Sequence, residues 1–308
     1  MRAAIYDRYG PPEVLRLDEV EKPEPAPNEI LVKVRAATVA AGDWRMRKAD
    51  PFLARLFNGL FRPKRVRTLG FELAGEVEEV GGAVRRFKPG DHVFAFTGFG
   101  FGAHAQYKCL AESGAITKVG LVAHKPRDLS FEQAAAVPVG GLTAQAFLRS
   151  AGVRRGQRVL VHGASGSVGT FAVQLARQLG AEVTGVCSAA NVDLVKSLGA
   201  VDVIDYTKED FTQRERVFDV VFDAAGKCPA ALGKRVLKEG GRFISVRGSP
   251  KLQADDLEKL KVLIEAGILT VVIDRQYSLE QIADAHRYVE LGHKKGNVVV
   301  TVSHETAP

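Results

Sequence analysis

At 308 residues, with 46% hydrophobic and 26% charged residues, the chain is long enough for two domains and too apolar for disorder except after Val302. A formal charge of +7 and a pI near 9.3 admit an anionic ligand, an acidic surface or nucleic acid. The basic clusters Arg62-Pro63-Lys64-Arg65-Val66-Arg67, Arg85-Arg86 and Arg154-Arg155 are short, scattered and not interleaved with aromatics, so they read as solvated surface rather than a nucleic-acid face.

The first third reads as β-structure. Arg2-Ala3-Ala4-Ile5-Tyr6 is strand-like. The prolines of Lys22-Pro23-Glu24-Pro25-Ala26-Pro27 rule out a central strand or helix there, and Ile30–Ala36 follows as a strand. Leu73–Val80 alternates until Gly81-Gly82, and Lys88-Pro89-Gly90-Asp91 is a turn leading into the strand His92–Phe96. Strands separated by turns, with few helices, predict a small barrel.

From about Leu129 the pattern changes. Ser130 and Gln133 form a capping box for a helix through Ala136. Beyond Gly156, short apolar runs alternate with amphipathic stretches. The runs are Val159–Val161, Val183–Val186, Val201–Ile204, Val217–Phe222 and Arg242–Val246, and the helical stretches include Phe171–Leu179 and Val192–Leu198. That alternation predicts a parallel sheet with helices on both faces. A helix is expected over Ala254–Ala266, a strand over Thr270–Ile273, a helix over Ser278–Leu291 and a last strand over Asn297–Val302. The last strand is expected to rejoin the first domain.

The cysteines Cys109, Cys187 and Cys228 are far apart and form no zinc spacing. Cys187, closing an apolar run, reads as a small buried hydrophobe. With no apolar run of ~18 residues and no presequence pattern at its start, the chain is expected to be cytoplasmic and outside the membrane.

The chemistry concentrates at Val159-Leu160-Val161-His162-Gly163-Ala164-Ser165-Gly166-Ser167-Val168-Gly169, followed by helical Thr170–Leu179. A strand enters a Gly-x-x-Gly-x-x-Gly turn and then a helix N-terminus, where backbone N–H groups and the helix dipole hold a pyrophosphate. Gly166 lets the backbone approach the phosphates, and Gly169 lets the helix pack on the sheet. About 20 residues past the turn, NAD enzymes place an acid to bind the ribose 2′-hydroxyl. Here the chain reads Cys187-Ser188-Ala189-Ala190-Asn191, with no acid, which favours NADP(H).

Gly156-Gln157-x-x-Leu160, the glycine turn, Gln174 and Arg177 resemble the signature of the quinone oxidoreductase (ζ-crystallin-like), zinc-independent branch of the medium-chain dehydrogenase/reductases, with Ser167 where glycine is usual. The likeness extends to Gly10-Pro11-Pro12-Glu13-Val14-Leu15, Phe87-Lys88-Pro89-Gly90-Asp91, Ala136-Val137-Pro138, Gly141-Leu142-Thr143-Ala144 and Val203-Ile204-Asp205-Tyr206. It implies an α/β protein in which a Rossmann doubly wound parallel sheet is inserted in a GroES-like β-barrel domain. The expected parts are 1–124 and 269–308 for the catalytic domain and 125–268 for the NADP(H)-binding domain, with the active site in the cleft between.

The resemblance implies that Thr143 touches the nicotinamide–ribose part of the cofactor, and that Gly163, Ser165, Gly166, Ser167, Val168 and Gly169 hold the pyrophosphate. Ser188 and Tyr206 would face the 2′-phosphate, although Tyr206 also reads as a partly buried cap on the sheet. Ala225, Gly226, Val246 and Arg247 would line the nicotinamide end, and Asn297 would add a cofactor contact; Arg247 also reads as a solvated loop charge. Zinc-dependent relatives place their catalytic ligands at positions matching Ala40, Phe71 and Val139, none of which binds a metal. The expected cofactor is therefore NADP(H) without zinc.

An electron-poor quinone or enone accepts hydride without a Lewis acid, provided the protein bonds the developing enolate oxygen. Many relatives carry asparagine at the place of Ala40; its absence here either weakens catalysis or passes the role to Arg45, Trp44 or a backbone N–H. Arg45 is alternatively a surface charge. His104 reads as a packed or cleft-edge histidine, and Glu72 as internally bonded. The family's homodimer is doubtful, because the short segment Gly248-Ser249-Pro250-Lys251 after Val246 leaves little room for the pairing edge strand. A rival reading from another class is an NADPH-binding sensor, interaction partner or RNA-binding protein with little catalysis.

Overall fold

The computed structural model describes residues 1–249 and 251–304. Pro250 and the end of the tail that follows Val302 lie outside the described residues. The chain opens with an antiparallel pair, β1 (Arg2–Ile5) and β2 (Arg16–Glu19). The proline-rich stretch forms no helix or strand, and β3 (Glu29–Thr38) begins just beyond it. Ile30, Val32 and Val34 of β3 enter one core, the every-second-residue placement of a pleated strand.

Two helices that the sequence pattern did not reveal come next, α1 (Ala41–Lys48) and α2 (Ala54–Asn58). The reason is physical: α1 buries the polar Asp43 and Arg47 instead of an apolar stripe, so hydrophobic periodicity is silent there. Then follow β4 (Glu72–Val80), β5 (His92–Phe96), β6 (Tyr107–Ala111), α3 (Ile116–Val119), β7 (Leu121–His124) and α4 (Phe131–Ala135). The capping box of α4 forms as its residues dictate. Ser130 Oγ accepts from Gln133 N–H at 3.2 Å, and Gln133 Oε1 accepts from Ser130 N–H at 3.0 Å.

The middle of the chain is α5 (Pro138–Ala151), β8 (Arg158–His162), α6 (Ser167–Gln178), β9 (Glu182–Cys187), α7 (Val192–Ser197), β10 (Asp202–Asp205), β11 (Phe218–Asp223), α8 (Ala230–Gly233), β12 (Leu237–Ser245) and α9 (Asp256–Glu265). Its five strands are all parallel, in the order β10-β9-β8-β11-β12. Val159, Leu160 and Val161 of central β8 are all fully buried, as a strand covered on both faces requires. The chain direction across the sheet reverses between β8 and β11, so a crevice opens beyond the carboxyl ends of these strands.

The chain then returns through β13 (Ile273–Ser278), α10 (Ile282–Glu290) and β14 (Asn297–Thr301). As expected, the last strand rejoins the first: Val299, Val300 and Thr301 pair antiparallel with Thr38, Ala37 and Ala36. The resulting sheet runs β13-β14-β3-β4-β5-β7, with β6 also on β3. By contact the chain divides into an outer unit, Met1–Pro138 with Ile273–Pro308, and a middle unit, Val139–Val272. Both divisions fall later than the expected 124/125 and 268/269. At the first, α4 packs on β3 and β4 and so stays with the barrel.

One expected strand is corrected. Thr270–Val272 form no strand, which starts instead at Ile273. The backbone of Thr270 is taken by a side chain: its N–H donates to Gln174 Oε1 at 2.7 Å and its carbonyl accepts from Gln174 Nε2 at 3.0 Å. Smaller shifts occur elsewhere. Helix α6 begins at Ser167 rather than Thr170, and β12 begins at Leu237 rather than Arg242.

Candidate dinucleotide site

The turn after β8 is held by its neighbour strand. Gly163 and Ala164 both donate to Val186 O at 3.0 Å, and Gly166 N–H donates to Gly163 O at 3.1 Å. Gly163 has φ +79°, a left-handed conformation that favours glycine, and a Cβ there would stand 2.7 Å from that of Ala225. A Cβ on Gly169 would lie 2.1 Å from Gly163 O, so glycine is what lets α6 start so close to the strand. Gly166 differs. At φ −79° any residue is allowed, and a Cβ would meet only Gly163 O at 3.4 Å. Gly166, the N-cap, has no side chain with which to cap the first-turn N–H groups of α6. They and the positive end of the helix dipole fit a pyrophosphate.

The other predicted cofactor residues of the middle unit gather at the same carboxyl edge. Gly140 packs on the start of α6, where a Cβ would lie 2.8 Å from Ser167 Oγ, and Thr143 is one helical turn further along α5. Val168 follows Ser167 in the first turn of α6. Ser165 and Ser188 are joined by Asn191, whose Nδ2 donates at 3.2 Å to each hydroxyl oxygen. This clamp was not singled out from the sequence; its sign was an amide three residues after Ser188 with no acid between. Tyr206 donates its N–H to Cys187 O at 3.1 Å, and its side chain is exposed rather than partly buried. Ala225 and Gly226 follow β11, Val246 and Arg247 follow β12, and Arg247 Nε donates to Gly226 O at 2.7 Å. That bond ties Arg247, itself exposed, to the loop after β11.

Two further groups were missed. His162, Asp223 and Ser245, the last residues of β8, β11 and β12, form one network: His162 Nδ1 is 3.0 Å from Asp223 Oδ1, and Ser245 Oγ donates to Asp223 Oδ2 at 2.9 Å. Burial pushes the Asp223 carboxyl up, but these hydrogen bonds more than offset it and hold it below the usual range. Asp205 lies opposite Cys187 in the ladder, beside the Ser188 corner. Thr207 bonds it from both N–H and Oγ1, holding it below the usual range, and Lys208 Nζ lies 3.8 Å away. Thr207 thus answers Oδ1, while the buried Oδ2 has no hydrogen-bond partner among the described residues.

The outer unit carries the remaining predicted residues. Trp44 is half-buried against the core, and Arg45 is exposed with its guanidinium 5.5 Å from the Trp44 ring centroid. Asn297 is buried at the start of β14. Ala40 is the N-cap of α1, and the Phe71 ring packs tilted against Phe101 with centroids 4.2 Å apart; neither side chain offers a donor atom to a metal. Asp43 is fully buried and accepts from Ala40 N–H at 2.7 Å and Gly70 N–H at 2.8 Å. Burial pushes its carboxyl up to about 7.

Glu72 accepts from Thr38 Oγ1, an internal bond as expected. His104 is fully buried with Nε2 2.8 Å from Thr38 O, and burial pushes it down to about 4: it is a packed, neutral histidine. Cys187 is buried, which pushes its thiol up to about 11. Among the described residues, no three His, Cys, Asp or Glu side chains gather as a metal site, and no helix is long and apolar enough to cross a membrane.

Comparison with known proteins agrees with this geometry. The alcohol dehydrogenase GroES-like domain matches residues 26–120, and the zinc-binding dehydrogenase family matches residues 167–265 and 247–300. The chain is similar to the NADPH-dependent alkenal/one oxidoreductase, chloroplastic, of Arabidopsis thaliana, at 34% identity over 97% of this chain and 79% of that one. It is 32% identical to the quinone-oxidoreductase QR1, chloroplastic, of Triphysaria versicolor, over 97% of this chain and 98% of that one. The solved quinone oxidoreductase of Coxiella burnetii superposes with a TM-score of 0.84 at 32% identity, covering 98% of this chain and 99% of that one. With a GroES-like domain, a Rossmann-like parallel sheet and relatives matched over nearly its whole length, the chain belongs to the medium-chain dehydrogenase/reductase superfamily.

Proposed function

We propose that the chain is a zinc-independent, NADPH-dependent oxidoreductase that passes hydride to a quinone or an α,β-unsaturated carbonyl. The observation that carries this is the uncapped glycine turn beside a β9 end that presents Ser188 and Asn191 instead of an acid. When bound, the reduced nicotinamide supplies the hydride. In this reading, the α6 N-terminus with Gly163, Ser165, Gly166, Ser167, Val168 and Gly169 holds the pyrophosphate. Ser188, Asn191 and Tyr206 take the 2′-phosphate. Thr143 meets the nicotinamide ribose, Ala225, Gly226, Val246 and Arg247 line the nicotinamide end, and Asn297 adds a contact. Arg45, Trp44 or a backbone N–H meets the acceptor oxygen, and water supplies the proton.

The reading of zinc independence is supported by Ala40, Phe71 and Val139 at the ligand positions, and a cytoplasmic setting by three free thiols. The middle unit binds cofactor and the outer unit handles substrate. We also propose that the family's edge-to-edge dimer does not form. No strand follows β12 in the parallel sheet among the described residues, and its Lys238, Glu239, Gly240 and Gly241 blunt that edge.

The test is an acceptor panel with NADPH, running from menadione-type quinones to short enals. Turnover on either class is expected. Tight NADPH binding without turnover on any member would overturn the enzyme reading in favour of a sensor, and RNA binding that persists at moderate salt would favour the RNA-binding rival.

A further inference from the structure

Among the described residues, the largest run of exposed apolar side chains follows α1 in the outer unit. Phe52, Leu53, Leu56, Leu60 and Phe61 fall within ten residues of the outer unit, with relative exposures from 46% at Leu60 to 88% at Phe61. Phe99, also exposed, joins them through Phe57, their ring centroids 6.0 Å apart. Burial was available to this segment, because its anchor is buried. Asn58 is 1% exposed, donates to Tyr6 Oη at 2.8 Å and Val66 O at 3.1 Å, and accepts from Val66 N–H at 2.6 Å. Tyr9 Oη adds a bond to Gly59 O at 2.7 Å. The loop is thus riveted by its middle while α2 and the Leu60-Phe61 tip point outward.

Charge sets the occupant. Of the eight Lys and Arg in residues 45–67, Arg47 and Lys48 pair with Glu290 and Arg67 with Asp7, which leaves Arg45, Arg55, Arg62, Lys64 and Arg65 against the single acid Asp50. Arg62 and Lys64 are exposed and make no ion pair among the described residues. The Arg55 guanidinium lies 5.0 Å from the Phe52 centroid and that of Arg65 lies 4.4 Å from Phe57, so cations and rings share one face. Apolar side chains to enter the acyl boundary, ringed by cations for the headgroups, are the two features that together hold a protein to a membrane surface. We propose that the α2 segment, from Phe52 to Lys64, docks the protein peripherally on an anionic lipid bilayer. A nucleic-acid face would use the cations but have no need of Phe61 and Leu56. This assignment does not rest on the reductase reading, since lipid binding is measured without turnover.

The experiment is co-sedimentation of the full chain with vesicles of phosphatidylcholine alone or with about a third phosphatidylserine. Binding to the anionic vesicles, weakened by raising salt, is expected. At about fivefold per cation, Arg62→Gln with Lys64→Gln is expected to weaken it about 25-fold. Leu56→Ser with Phe61→Ser is expected to weaken it at least tenfold. Both side-chain pairs are exposed, so unchanged circular dichroism and NADPH affinity are expected to show intact folds. Equal or absent binding to the two vesicle types overturns the proposal. So does a serine variant that binds vesicles normally, whether it then shows a raised KM for a water-soluble quinone (a substrate surface) or loss of a dimer in light scattering (a self-contact).

Discussion

Two glycines of the α6 turn separate packing from cofactor binding. For Gly169→Ala, the new Cβ would start 2.1 Å from Gly163 O and 2.8 Å from the Ala164 carbonyl carbon. Relief to ordinary contact needs a shift of about 1 Å between α6 and the β8 turn, the scale of overpacking that costs about 1–3 kcal/mol. The expected outcome is a thermal midpoint lower by several degrees, together with weaker NADPH binding because the first-turn N–H groups move. For Gly166→Ala the backbone is already ordinary and the Cβ has room. Stability should stay within about 0.5 kcal/mol. Yet that Cβ would occupy the space a pyrophosphate needs, so the NADPH dissociation constant should rise tenfold or more, an order-of-magnitude expectation from about 1.4 kcal/mol per decade. Differential scanning calorimetry and a fluorescence titration of NADPH read the two quantities. A Gly166→Ala protein that binds NADPH like the parent would refute the placement of the pyrophosphate on this turn. An unaltered midpoint for Gly169→Ala would refute the packing argument.

Ser188→Asp should place a carboxylate at the 2′-phosphate corner, and the ratio of NADPH to NADH affinity should fall by roughly tenfold or more; an unchanged ratio would move the 2′-phosphate elsewhere. His104 titrates about 4 when folded against an ordinary 6.5, so its neutral form is favoured by the fold. The unfolded chain takes up its proton first, so this stability is complete above about pH 6.5 and is lost as pH falls toward 4. Urea unfolding should show His104→Gln less stable than the parent at pH 7.5 but losing about 2 kcal/mol less on going to pH 5. Asp43 has the opposite sign: its raised pKa of about 7 makes its contribution fall as pH rises from about 4 through 7. Asp43→Ala would leave the Ala40 and Gly70 N–H groups without their acceptor, and a loss of about 1–3 kcal/mol is expected in the same denaturant assay. Light scattering should give a monomer mass; a dimer built on the β12 edge would contradict the reading of that strand.

Local chemistry determined much of this protein directly. Proline placement, the Ser130–Gln133 box, five apolar runs and a glycine-spaced turn are short-range signals, and each produced the element or turn that its residues dictate. The return of β14 to β3 was also foreseeable, since Val298, Val300 and Val302 alternate toward a core that the middle unit does not supply. Helix α1 was not, because its buried face is Asp43 and Arg47, and burial of polar groups follows from partners far along the chain. Arg47 reaches Glu290, and Asp43 reaches Gly70. The same holds at the candidate site. Residues on the glycine turn were legible because the turn is contiguous, whereas the Asn191 clamp, the His162–Asp223–Ser245 network and the Arg247–Gly226 bond join side chains from separate strands and loops. The sequence alone thus determined where the glycine turn and its flanking strand and helix lie. Only the tertiary structure decided which polar groups meet, because a hydrogen bond between distant residues depends on sheet order and register, which no local spacing encodes.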